Sequence, residues 1–216
     1  TIFPIFAPHK FLNMFYKLLL PIFVVFFTLQ LAAQNNKYQT NNAKIAMEML
    51  LELKKGAAGN GNKMDKLVLK AHNDQGISTL DEKTGQIQFS VPMKAFKFEK
   101  PTFQRSFQSS TILKVKEYPY VKFEGRILNY KKSILRKRKG ASVTIEGGLT
   151  IRDVTKPIKA TGTFTKLEKG TVSGKIQFAI PDANVFSSNA EENKGLTENV
   201  KISVKATIEV ILTKEK

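Results

Sequence analysis

His9 and His72 are the only two histidines of the chain, and it has no cysteine. Disulfides, thiolate metal sites, cysteine nucleophiles and lipid attachment at a cysteine are thereby excluded. His72 precedes Asn73 and Asp74, but a Ser-His-Asp arrangement needs convergence in space that chain order does not supply. It reads as a surface residue at the end of a strand. The adjacent acids Asp81-Glu82 and Glu191-Glu192 would point to opposite faces of an extended chain, a poor geometry for paired acid and base. Solvated loops explain them better. No GxSxG elbow, HExxH pair or GxxxxGK[ST] phosphate loop occurs. These observations point away from an enzyme and imply no cofactor or metal.

Binding is better equipped. The 216 residues hold 35 Lys+Arg against 18 Asp+Glu, a formal net charge of +17. Six cations, Lys131, Lys132, Arg136, Lys137, Arg138 and Lys139, fall within nine residues between two alternating runs. A solvated hairpin tip is one reading. The other is attraction to phosphate, as an anionic membrane surface, a lipid headgroup or nucleic acid. Nucleic acid fits least, because no aromatic is interleaved with the cations and Tyr130 only precedes them.

The elements that would carry such a site alternate. Ile45–Leu53, Leu67–Ala71, Ile87–Val91, Val121–Ile127, Val143–Ile151, Ile158–Phe164, Val172–Ile180 and Ile202–Leu212 place apolar residues at every second position. A period of two puts one face on a core and the other in water. In the first of these runs helix propensity disagrees, and the repeated period decides. Runs of this kind divided by turn residues describe an all-β antiparallel barrel of about eight strands in one domain. Lys100–Ile112 breaks the alternation. Its Phe103 and Phe107 are spaced i, i+4 and Pro101 suits a first turn, so a short inserted helix is expected over one end. Gly56–Asn62 reads as a flexible hairpin turn.

Phenylalanine is abundant, at 16 residues. Phe89, Val91, Phe103, Phe107, Phe123, Leu149, Phe164 and Phe178 are the expected walls of a cavity. Gly147, Gly148, Gly162 and Gly174 on the same strands remove volume or mark bends. An eight-stranded barrel is just wide enough to be filled or to hold one small ligand.

Residues 1–33 carry Lys10 and Lys17 and no acid, with the apolar run LLLPIFVVFFTLQL from Leu18 to Leu31 and then Ala32-Ala33. These are the parts of a secretory signal peptide, and the run is short for a membrane span of ~20 residues. The expectation is an upstream extension plus signal peptide over 1–33, a start at Met14, cleavage after Ala33, and a barrel over 34–216. The destination is then periplasmic or secreted.

Four stretches carry a resemblance. They are Lys70-Ala71-His72-Asn73, TGQIQFSVPM from Thr84 to Met93, EYPYVKFEG from Glu117 to Gly125, and GLTIRDVTKPI from Gly148 to Ile158. Together they resemble the YceI-like family, the last most specifically. The resemblance implies a lipocalin-like barrel, exported, whose cavity holds a polyisoprenoid or similar long-chain lipid, with no catalytic residues. Relatives often carry Met, Glu and His where this chain has Phe103-Gln104-Arg105-Ser106-Phe107, and Asp153 stands in place of a turn glycine. The resulting expectation is binding, sequestration or transport of an apolar lipid. The six cations of 131–139 would contact its headgroup or a membrane. A solid-cored binder of anionic surfaces or nucleic acid is the alternative, and pairing of two barrels into a homodimer is left open.

Overall fold

Alternating burial runs through nine strands among the described residues. They are β1 (Lys37–Leu53), β2 (Lys66–Asp81), β3 (Gln86–Pro92), β4 (Lys97–Phe98), β5 (Tyr120–Ile127), β6 (Ala141–Ile151), β7 (Val154–Lys166), β8 (Thr171–Ile180) and β9 (Val200–Lys214). The computed structural model describes residues 36–53, 66–109, 113–187 and 199–215. Lys37–Lys214 make one compact unit. The leader reading of 1–33, the turn Gly56–Asn62 and the pair Glu191-Glu192 lie outside the described residues.

Every ladder is antiparallel. The strand order is β1-β9-β8-β7-β6-β5-β3-β2, and β2 pairs back onto β1 from Lys37↔Asp81 to Glu52↔Lys66. Eight strands therefore close into a barrel, and the two-residue β4 is an extra strand on β2. On β3 the pattern is plain: Ile87, Phe89 and Val91 are buried and Gln86 and Gln88 are exposed. A short helix, α1 (Pro101–Ser109), sits between β4 and β5, starting one residue inside the expected segment. His72 lies in the middle of β2 rather than at its end, and is exposed.

One end of the barrel is filled. Leu80, Ile87, Phe164 and Leu212 are fully buried there, and Leu135 reaches in from the β5–β6 connection. That connection is not a solvated hairpin tip. It forms a 3-10 turn at Lys132–Arg136, Ile134 also packs against the core, and the Lys137 carbonyl accepts the Lys166 N–H at 3.0 Å. Gly85, at φ 72°, lies directly under the Tyr130 ring, where a Cβ would collide. The Tyr130 hydroxyl donates to the Glu82 carbonyl oxygen at 2.9 Å. Burial, and after it the charge of Glu82, push this phenol above its ordinary range, so it remains a donor.

Glu82 corrects the expectation of a solvated acid pair. It is 5 % exposed and receives Lys214 Nζ at 2.6 Å and Lys132 Nζ at 3.1 Å. Burial alone would raise its pKa, but the hydrogen bonds from the two ammonium groups outweigh that and hold the carboxyl below its ordinary value. Asp81 accepts the N–H groups of Lys83 and Thr84 and shapes the turn. A folded-state pKa below the unfolded one gives stability that is present at neutral pH and lost as pH falls through the folded value. Urea titrations from pH 7 downward will show this acid limb, beginning below ~4, the unperturbed carboxylate range. Glu82→Gln will flatten that limb and cost about 1–3 kcal/mol at pH 7.

Candidate functional site

Burial of the inward residues changes along the barrel axis. On β1, Ala43 and Ile45 are buried, whereas Met47, Met49 and Leu51 are only half-buried. On β8, Val172 and Ile176 are buried and Phe178 is half-buried. On β9, Leu212, Val210 and Ile208 give way to a half-buried Ile202. The half-buried side chains surround a cavity of about 430 Å³ at the end where α1 sits, within the ~300–1,000 Å³ usual for small-molecule sites.

Cross-strand register builds one wall. Phe89, Phe123 and Leu149 are consecutive partners across β3, β5 and β6, so their side chains share a face. The rings of Phe89 and Phe123 lie 6.2 Å apart. The roof is α1, which brings Phe103 and Phe107 over the opening on one helical face. Phe107 meets Phe98 at 4.9 Å and Phe96 at 6.0 Å. A nine-residue helix is too short to persist unaided, and Gln104 ties it down. Its Nε2 donates to the Phe96 carbonyl and its Oε1 accepts the Phe98 N–H, both at 2.8 Å. The residue class at position 104 gave no sign of this; only the fold brings β4 beneath the helix.

Phe89, Val91, Phe103, Phe107, Phe123, Leu149 and Phe178 line the cavity. Phe164 does not. It has the correct parity but lies deeper, fully buried at the filled end, where its ring occupies the space above Gly174. The other glycines are also taken up by neighbours rather than opened to a guest. Gly147 faces the backbone of Glu124 and Gly125, Gly162 faces Ile176, and Gly148 faces Thr155. The vacant volume comes from side chains that do not meet across the mouth.

The cations of 131–139 are absent from the lining. Antiparallel strands alternate direction, so the connection after β5 must lie at the opposite end from α1, which precedes β5. Lys132 is engaged with Glu82 there. The basic turn therefore lies at the end of the barrel away from the cavity mouth, which strand direction alone reveals. The same rule puts the β6–β7 turn at the mouth. Arg152 in that turn has φ 60°, is 9 % exposed, lines the cavity, and holds its guanidinium 5.7 Å from the Tyr118 ring centre. Alternation continued past the inward Ile151 would place it in water.

The remaining polar lining is Ser106, Lys122, Asn184 and Ser187, with no Asp, Glu or His among the described residues. Among the described residues no cluster of metal-ligating side chains occurs. A lumen so furnished can hold an apolar molecule.

The comparisons with known proteins agree on the architecture. The model of the YceI-like domain matches residues 59–209. A polyisoprenoid binding domain from Saccharophagus degradans, implicated in plant cell wall breakdown, superposes with a TM-score of 0.59 at 10 % identity, covering 83 % of this chain and 98 % of that one. A YCEI protein of Campylobacter jejuni gives 0.50 at 17 % identity, covering 76 % and 97 %. At such identities the likeness shows the fold. No curated protein matches the chain.

The difference between filled end and mouth is measurable. Phe164→Ala will cost about 3–5 kcal/mol in urea unfolding, and Phe178→Ala distinctly less, because its ring is half-buried to begin with. Equal costs would mean the mouth is packed as tightly as the other end. Gln104→Ala will speed amide exchange at Phe98 and in α1 while the barrel amides keep their protection.

Proposed function

Because the chain belongs to the YceI-like family, we propose that its barrel binds a long apolar chain of polyisoprenoid type, for sequestration or transport. The observation that carries this reading is the ring of half-buried Met, Leu, Ile and Phe side chains around about 430 Å³. Each methylene that leaves water for that lumen contributes ~0.8 kcal/mol, so an extended chain is favoured over a compact solute of equal polarity. The name of the Saccharophagus degradans neighbour, a polyisoprenoid binding domain, supports the same class of guest. Export belongs to the reading too, and rests on the cation-bearing apolar run in 1–33.

The alternative of a solid-cored binder of anionic surfaces loses its premise, since the interior is not solid at the α1 end. The basic turn 131–139 keeps its charge at the other end and has no part in holding the guest.

Organic extraction of the purified protein, followed by mass spectrometry, will recover a prenyl or acyl lipid in stoichiometric amount. Ala206 lines the lumen beside Phe178, its partner on the neighbouring strand, and Ala206→Phe fills it. That variant, folded by circular dichroism, will bind farnesol at least about 10-fold more weakly, the scale of one lost aromatic-sized contact of 1.4 kcal/mol. Unchanged affinity in the filled variant, or no saturable uptake by the wild type, would overturn the reading.

A further inference from the structure

The end of the barrel away from the cavity gathers positive charge from four separate parts of the chain. In the β5–β6 connection Lys131, Arg136, Lys137, Arg138 and Lys139 are all exposed. None of the five makes an ion pair among the described residues. Strand direction brings three more segments to the same end: the β2–β3 turn with exposed Lys83, the β7–β8 turn with exposed Lys169, and the start of β1 with exposed Lys37. Contacts knit these segments into one face. The Lys166 N–H donates to the Lys137 carbonyl at 3.0 Å, and the Lys214 N–H to the Gly170 carbonyl at 2.8 Å. Tyr130 donates to the Glu82 carbonyl in the β2–β3 turn.

The acids of these segments do little to offset the excess. Glu82 is buried and held by Lys132 and Lys214. Asp81 turns its Oδ1 to the N–H groups of Lys83 and Thr84, and Glu215 is half-buried. Glu168 is the one exposed acid among the described residues of these segments. Like charges held together weaken a compact state, so folding alone does not explain their gathering here. The same face carries an apolar tip. Leu167, between Lys166 and Glu168 in the β7–β8 turn, is 43 % exposed, and its N–H closes that turn on the Thr171 carbonyl at 3.1 Å. No exposed ring accompanies it, since Tyr38 is buried and Tyr130 half-buried. Nucleic acid bases would find nothing to stack on, whereas cations around an exposed leucine suit phosphate headgroups with an acyl boundary beneath.

We propose that the filled end of the barrel is a docking face for an anionic phospholipid surface, with its cations over the headgroups and Leu167 entering the interface. The cavity mouth, at the opposite end, then faces away from the bilayer, so any guest passes on the water side. This is a second surface on a hollow barrel, and it stands independently of what the lumen holds.

The test is sedimentation of the purified full chain with vesicles of phosphatidylcholine, alone or mixed with phosphatidylglycerol. Binding will require the anionic lipid and will weaken steeply as salt shortens the Debye length. The triple variant Lys137→Gln, Arg138→Gln, Lys139→Gln removes no side-chain partner and will keep its Tm. It will bind about 100-fold more weakly, at ~5-fold or ~1 kcal/mol per cation. Lys94→Gln, Lys116→Gln and Lys156→Gln together remove the same charge from exposed positions at the mouth end. They will change binding by less than about 3-fold, because there they lie beyond a Debye length from the lipid. The chain has no cysteine, so Lys169→Cys and Lys116→Cys each give one site for a polarity-sensitive fluorophore. Only the first will report a less polar setting on anionic vesicles. Equal binding to both vesicle types, equal losses in the two triple variants, or a response from Lys116→Cys alone overturns the docking face. So does binding of a single-stranded oligonucleotide where vesicles are not bound, which gives the surface to nucleic acid. Farnesol binding tests the lumen reading separately and is untouched by each of these outcomes.

Discussion

Closure of the sheet through the β1–β2 ladder is the constraint on which everything else rests. Once Lys37–Leu53 pairs with both Lys66–Asp81 and Val200–Lys214, the eight strands form one closed ring of antiparallel pairings. All inward side chains must then share one lumen of nearly fixed diameter. Filling it becomes a matter of volume at each level along the axis. At the filled end, Phe164 takes the space over Gly174, and Leu135 enters from a connection rather than a strand. At the other end Met47, Met49, Leu51 and Phe178 leave room between them, and α1 covers the gap without plugging it.

The two ends also differ in how they treat charge. Glu82 is buried, and Lys132 and Lys214 neutralise it through short hydrogen bonds. That cluster joins the β2–β3 turn, the basic turn and the last strand at the filled end of the barrel. Six cations of the chain are gathered near it because the connection after β5 happens to emerge there. At the mouth a single buried cation among the described residues, Arg152, is stacked on Tyr118 beside an apolar wall. A count of positive charge along the sequence does not tell which of these regions borders the cavity. What matters is which end of the barrel a connection occupies.

Much of the architecture was legible before the fold was known, because a strand that is half in water must alternate. Ile87, Phe89 and Val91 face inward for that reason and no other, and Phe123 and Leu149 follow by the same rule. The helix was legible as the place where alternation stops and Phe103 and Phe107 take up helical spacing behind a proline. Membership of the YceI-like family was legible in GLTIRDVTKPI, since a turn between two paired strands leaves a compact signature. What alternation cannot express is depth. Phe164 and Phe178 have the same parity, yet one plugs the barrel and the other borders its cavity, because depth depends on the stagger between strands.

Parity also fails wherever the chain leaves the strand. Arg152 follows Ile151 as a water-facing residue would, but a left-handed turn carries its side chain back against the wall. Glu82 follows Asp81 into what looks like a solvated loop, and becomes buried only because β9 delivers Lys214 from the far end of the chain. By itself, then, the amino-acid sequence determined the side of the sheet on which each strand residue stands, since that depends on nothing beyond the nearest neighbours along the backbone. The tertiary structure alone decided how far down the lumen each one sits, and which charges meet, since those depend on contacts between residues far apart in the chain.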